Sequence, residues 1–279
     1  MFNKKSKRII IYYQTLIDLE PLINLIKEKP QQILTHITLA SIHFGVNKDN
    51  TPYIHLNDDM PSSSKFTKVF SQLNEIKEID GKPIEINLLI GGAGTAFNRL
   101  FSDYECYYNL LKKSVETSLS FVDGFNLDIE EDVDINNIIK LVNNLKSDFP
   151  DKQITFAPLS SSIATDEPGM GGFSYKTLNQ KIGDKIDFYN VQCYGEYSED
   201  LYNKMIDNGY PSKKIVMCML SGQDFNDIIQ ELEKIVNNPD NSNSNSFGGV
   251  AVWEYFNAPP SSPQHPYVWC EIMSHILNS

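Results

Sequence analysis

No stretch of the 279-residue sequence comes near the ~20 apolar residues that a membrane-spanning helix needs. Basic residues are scarce beside acidic ones, 24 against 36, which gives a formal charge of -12. A chain of that sign lacks the basic footprint that nucleic acids and anionic membranes require, and it suits a neutral or cationic ligand. Cysteine is sparse as well. Cys106, Cys193, Cys218 and Cys270 form no C-x-x-C pair, so no zinc site is expected, and reduced thiols fit better than a disulfide framework. No internal repeat is visible, and no Gly-rich phosphate loop follows the first strand-like run, which argues against a doubly wound dinucleotide fold.

The N-terminus is basic (MFNKKSKR) and then apolar (IIIYY), but the apolar run stops at Gln14 with no small-residue cleavage site. It therefore reads as a strand and not as a secretory leader. A chain that begins here would stay in the cytoplasm. A trimmed one would be secreted, so no compartment is assigned.

What is present is a regular alternation. The strand candidates are RIIIYY from Arg8, HITLASIHF from His36, IEINLLI from Ile84 and FVDGFNLDIE from Phe121. They continue with QITFAP from Gln153, IDFYNVQCY from Ile186, KIVMCML from Lys214 and FGGVAVW from Phe247. Most are too apolar for a sheet wetted on one face, as parallel strands buried on both faces should be. Amphipathic helical periods lie between them, from PLINLIKEK at Pro21 to FNDIIQELEKIVNN at Phe225. Eight strands with a helix after each predict an α/β fold, a (β/α)8 TIM barrel filling residues 1–279 as one domain. Long segments after the second, fifth and eighth strands read as loops on the catalytic rim. The polar tract NNPDNSNSNS, residues 237–246, reads as a connector on the opposite, stabilising face.

The fourth strand candidate carries the chemistry. Alternate side chains of a strand face opposite ways, so Phe125, Leu127 and Ile129 share one face and Asn126, Asp128 and Glu130 the other. In a barrel the polar set points inward and climbs toward the catalytic mouth. Burying carboxyls without pairing costs several kcal/mol, so such a ladder points to function more than to packing. Gln192 and Tyr194 share a face by the same spacing, with Cys193 turned toward the helices. For Gly91 and Gly92, a close backbone approach at the rim is the simpler reading.

Asp123, Gly124, Asn126, Asp128 and Glu130 resemble the D-G-x-D-x-D-x-E signature of family 18 glycoside hydrolases, the chitinase and endo-β-N-acetylglucosaminidase family. LLIGGAG at Leu88 resembles the family's third-strand S-x-G-G, with Leu89 in place of Ser. NVQCY at Asn190 resembles the sixth-strand Q-x-Y, and GGVAVWEY at Gly248 resembles the eighth strand with its sugar-stacking Trp. YYQT at Tyr12 and HLNDD at His55 are similar to a fungal and bacterial subgroup.

The resemblance implies a retaining, substrate-assisted cleavage of β-1,4 bonds after N-acetylglucosamine, outside the two-carboxylate scheme. Glu130 would be the acid and base, Asp128 would hold the acetamido N–H, and Tyr194 would orient the acetamido carbonyl. Asn126, Gln192, Trp253 and Gly92 would complete substrate binding, with Trp253 as the apolar floor. Asn126 departs from the family's usual Asp; its amide is expected to donate to Asp128 and ease its ionisation. Between Leu220 and Gly248 there is room for one helix and a loop only, so the α+β insertion of tunnel-like members is absent. That implies an open groove and internal cleavage.

A chitinase is the leading expectation, with N-glycan cleavage second and a non-hydrolytic, lectin-like barrel third. Neither a metal nor a cofactor is expected, since no second carboxylate cluster accompanies Asp128 and Glu130. The expected partner is chitin or another N-acetylglucosamine oligosaccharide, taken up by a monomer.

Overall fold

A computed structural model describes residues 7–237 and 247–278. The strands are β1 (Arg8–Tyr13), β2 (His36–Val46), β3 (Pro52–Leu56), β4 (Glu85–Gly91), β5 (Gly124–Asp128), β6 (Gln153–Phe156), β7 (Phe188–Gln192), β8 (Ile215–Leu220) and β9 (Gly249–Trp253). The helices are α1 (Glu20–Glu28), α2 (Thr67–Lys77), α3 (Ala96–Ser102), α4 (Tyr104–Glu116), α5 (Ile135–Asp148), α6 (Ser160–Ala164), α7 (Tyr175–Ile182), α8 (Glu199–Asp207), α9 (Phe225–Asn237) and α10 (Val268–Asn278).

Eight strands run parallel in the order β1-β9-β8-β7-β6-β5-β4-β2, and β2 pairs back onto β1 to close the barrel. The (β/α)8 architecture expected from the alternation is therefore the fold. The ninth strand, β3, is an addition. It pairs antiparallel with the outer half of β2, Ile42 opposite Leu56 and Val46 opposite Pro52. The segment read from sequence as a rim loop is thus partly a β-hairpin, and it is the turn over Asn47 and Asn50 that reverses the chain.

Strand alternation divides the interior into two cores. Ile9, Ile11 and Tyr13 of β1 pack outward under the helices, as do Phe125 and Leu127 of β5. Ile10 and Tyr12 point into the barrel, where Ala40, Leu89, Phe188, Val216, Cys218 and Ala251 meet them. The outer core is much the larger, as expected when eight strands each present one face to a surrounding helix layer.

The lower end of the barrel is held by carboxylates placed just before strands. Asp123, first residue of the D-G signature, accepts the Ile86 N–H at 2.8 Å and pairs with Lys77 at 2.7 Å. Asp187 takes the Ile154 N–H in the same way at 2.8 Å. Helix α5 starts under Asp134, whose carboxylate accepts the Asn136 N–H. Helix α10 closes the ring: Trp269 is fully buried and donates its indole N–H to the Met219 sulfur at 3.3 Å.

Among the described residues, α9 is the only helix between β8 and β9, so the barrel carries no α+β insertion there. Beyond Asn237 the polar tract lies outside the described residues. All four cysteines are free.

Candidate active site

The site lies at the C-terminal ends of the barrel strands. One wall depends on two glycines. Gly91 ends β4 with φ +99°, and any side chain there would meet the Asp128 carbonyl at 2.2 Å. Gly92 follows with φ +82° and donates its N–H to that same carbonyl at 2.9 Å. Both conformations are ones that L side chains rarely adopt, so this close seating of the β4 loop on β5 requires glycine.

Six of the seven site residues expected from sequence border one cavity of about 300 Å³: Gly92, Asp128, Glu130, Gln192, Tyr194 and Trp253. Tyr12, Gln14, Ser41 and His43 line it too, contributed by β1, the loop after it and β2. Of these, only the YYQT segment carries a sequence signal. Ser41 and His43 sit inside an apolar strand run, where nothing in the pattern distinguishes them.

Gln192 organises the carboxyls. Its Nε2 lies 3.1 Å from Asp128 Oδ1, 3.4 Å from Glu130 Oε1 and 2.9 Å from the Ala157 carbonyl. Asp128 is buried, and burial together with the charge of Glu130 pushes its carboxyl well above the usual range, against the pull of the Gln192 amide. The Tyr194 hydroxyl rests 3.7 Å from the Cys218 sulfur, and burial holds the phenol protonated far beyond neutral pH. Tyr194 can therefore donate a hydrogen bond at any working pH. Trp253 is half-buried, with the Tyr12 ring edge-on at 5.3 Å.

Asn126 is placed differently from expectation. It is fully buried and does not reach the cavity. Its Oδ1 accepts from the Tyr12 hydroxyl at 3.1 Å and its Nδ2 donates to Thr155 Oγ1 at 2.8 Å. The amide therefore does not donate to Asp128. Residues two apart on a strand are ~7 Å apart, so a short amide reaches sideways to neighbouring strands before it reaches along its own.

Two further carboxylates carry no signal in the sequence, and each directly follows a cavity residue. Glu131, after Glu130, accepts the N–H groups of Phe97 at 2.6 Å and Asn98 at 3.2 Å, which ties down the loop carrying Gly91 and Gly92. Glu254, after Trp253, accepts the N–H groups of Gln14 at 3.1 Å and Thr15 at 3.0 Å and also the Thr15 hydroxyl. Each acid locks the neighbouring loop to the strand that bears a site residue. Among the described residues, no three His, Cys, Asp or Glu side chains converge as metal ligands.

Comparison with known proteins agrees with this geometry. The profile of the family described as "Glycosyl hydrolases family 18" matches residues 8–226. A fungal endo-β-N-acetylglucosaminidase of that family superposes with a TM-score of 0.81 at 28% identity, covering 96% of this chain and 97% of its own. Chitinase ChiC from Aspergillus fumigatus gives 0.79 at 27%, covering 96% and 99%. A family 18 chitinase from Pseudoalteromonas aurantia shares the fold, with a TM-score of 0.68 at 20% identity, 97% of this chain and all of that one being covered. No curated protein sequence matches the chain. With the profile spanning most of its length and every barrel strand but the last, the chain belongs to glycosyl hydrolase family 18 and is a glycoside hydrolase.

Proposed function

We propose that the protein is an endo-acting chitinase that cuts β-1,4 bonds after N-acetylglucosamine with retention of configuration. The observation that carries this reading is the single Gln192 amide reaching two inward carboxyls, Asp128 and Glu130, beside a protonated Tyr194 and the Trp253 ring. One carboxyl is buried against the cavity wall and the other stands nearer its mouth. That asymmetry suits one stabilising and one proton-transferring role.

In the proposed reaction the sugar stacks on Trp253 and its acetamido group turns down toward Asp128 and Tyr194. Glu130 gives its proton to the glycosidic oxygen as the C1–O bond breaks. The acetamido oxygen forms the new bond to C1, producing an oxazolinium ring whose positive charge faces Asp128. Tyr194 donates to the acetamido oxygen and aligns it for attack. Glu130, now a carboxylate, removes a proton from water, and that water opens the ring at C1 from the side the leaving group vacated. Each proton is returned and no enzyme atom is consumed.

A second substrate is kept open by one observation: the structure matched at 28% identity is an endo-β-N-acetylglucosaminidase. Branched N-glycans would use the same carboxyls. The open barrel mouth, free of an α+β insertion, supports internal cleavage of either chain. Every group in the scheme comes from one chain, and a monomer is proposed.

The test is product analysis with a chitin pentasaccharide, run beside Glu130→Gln. Cleavage lost by ~10²–10⁴-fold in the variant, with Tm unchanged, is the expected result for removal of a general acid. Cleavage of an N-glycan but not of the pentasaccharide would replace chitin by the second substrate. Binding without cleavage of either would overturn the enzymatic scheme.

A further inference from the structure

On the side of the β2–β3 hairpin, the reaction cavity adjoins a second one of about 440 Å³, which shares Gln14, Ser41 and His43 with it and reaches His55, Asn57 and Asp58. Across the barrel it ends against β7 and β8, and there the sheet is interrupted at one rung. The two strands keep parallel register as far as Gln192 opposite Cys218, and the Cys193 N–H still donates to the Cys218 carbonyl at 2.9 Å. The next bridge of a parallel ladder would set Tyr194 opposite Leu220, with the Leu220 N–H on the Cys193 carbonyl.

Gln223 takes that place. Its Oε1 accepts the Leu220 N–H at 2.6 Å, and its Nε2 donates to the Cys193 carbonyl at 3.3 Å. Its own backbone N–H donates to the Leu220 carbonyl at 3.0 Å, closing the turn that brings the side chain back. An amide side chain, one end acceptor and the other donor, thus stands between the strands as a surrogate peptide group. On its other flank β8 stays paired to the edge of the cavity: Leu220 lies opposite Trp253, and the Ser221 N–H donates to the Trp253 carbonyl at 2.8 Å. The opening is therefore confined to the β7 side.

It falls beside Tyr194, whose own hold is weak. Its hydroxyl faces the Cys218 sulfur at 3.7 Å, a poor partner, and the chain turns away at Gly195 with φ +79°. The direction of the ring follows from where β7 ends, and Gln223 fixes that end against β8. Tyr194, Leu220 and Trp253 all line the cavity, whereas Gln223 stands behind it.

We propose that Gln223 is a positioning residue for the reaction: its amide wedge holds Tyr194 apart from the Leu220–Trp253 wall and so sets the width of the place where the acetamido group is aligned. The proposal rests on the reading that Tyr194 orients that group. Without the wedge the ladder zips one rung further, the Leu220 N–H turns to the Cys193 carbonyl, and the Tyr194 ring is drawn against Leu220.

The experiment is a double-mutant cycle of Gln223→Leu and Tyr194→Phe on the chitin pentasaccharide, or on the N-glycan if only that is cut. Gln223→Leu is expected to lower kcat about tenfold with KM nearly unchanged, within the ~10²-fold that a displacement of 1 Å can cost. In the Tyr194→Phe background the same substitution should cost less than about twofold, because the group it positions is gone. A full loss in that background, or natural activity in Gln223→Leu, overturns the proposal. Should Gln223→Leu not fold, Gln223→Glu replaces it in the cycle: the same shape still accepts from Leu220, but as a carboxylate it cannot donate to Cys193. If the natural protein cleaves neither substrate, the role read for Tyr194 fails instead. Crystal structures of the natural protein and the variant then decide the wedge: Leu220 N and Cys193 O should close to about 2.9 Å, and an unmoved Tyr194 overturns it.

Discussion

The side-chain amide of Gln192 lies 3.1 Å from Asp128 Oδ1 and 3.4 Å from Glu130 Oε1, so one donor serves both carboxyls of the site. Asp128 is already pushed up by burial and by Glu130, and the amide is the only group that opposes them. Gln192→Leu removes that opposition. The acid limb of the kcat/KM profile should move to higher pH, and kcat/KM at pH 6 should fall about tenfold, the worth of a hydrogen bond to a charged group. A profile that scales down without moving would show that Gln192 only shapes the cavity.

Asp128 should also weaken the fold it serves. Its carboxyl is raised above the ordinary 3.8, so ionising it costs folded-state stability. The penalty is absent below the unfolded value and grows as pH rises through the native one. Asp128→Asn should therefore raise Tm by about 3 °C at pH 8 and by nothing at pH 3.5, while activity drops ~10²–10³-fold. Thermal melts across that range check the sign; a variant less stable at pH 8 contradicts it.

Asn126→Asp would set a second carboxyl beneath Asp128 in a fully buried position. The Tyr12 hydroxyl could still donate to it, but Thr155 Oγ1 now accepts from Asn126 and donates to the Phe125 carbonyl at 3.2 Å, and it would have to turn. Hydrolysis should persist, the acid limb should shift upward, and stability at neutral pH should fall by about 1–3 kcal/mol. A superimposable pH profile would remove Asn126 from any role in tuning Asp128.

Glu254→Ala would release the loop after β1, since three groups of Gln14 and Thr15 converge on this carboxylate. KM should rise severalfold, because Gln14 lines both cavities, with kcat changed less. Urea unfolding should show a loss of about 1–3 kcal/mol. A loss confined to stability would make Glu254 a fold residue only.

How far the sequence can be read follows from which residues act along the chain and which act across it. The eight barrel strands are legible because a parallel strand, buried on both faces, is a short apolar run between turns. Asp128 and Glu130 are legible because two-residue spacing inside such a run sends both carboxyls to the same inner face. The hairpin strand β3 is not: Pro52 opens it, His55 interrupts it, and eight strands already complete a barrel. Helix α10 shows little polar contrast, because Trp269, Cys270, Met273, Ile276 and Leu277 bury most of its surface. The face of Asn126 is legible but its partners are not, and Ser41, His43 and the two loop-locking acids act only through residues distant in sequence. Such groupings exist only once the barrel has closed.

The hairpin has a consequence for how this enzyme could diversify. Strand β3 hydrogen-bonds to β2 alone, and the barrel closes without it through β1 and β2. Asp128, Glu130, Gln192 and Tyr194 sit on strands of the closed ring or just beyond their ends, while His55, Asn57 and Asp58 hang on or just beyond the appended strand. The hairpin's share of the second cavity's lining can therefore be exchanged as a cassette, residues 47–59, without rebuilding the closed ring.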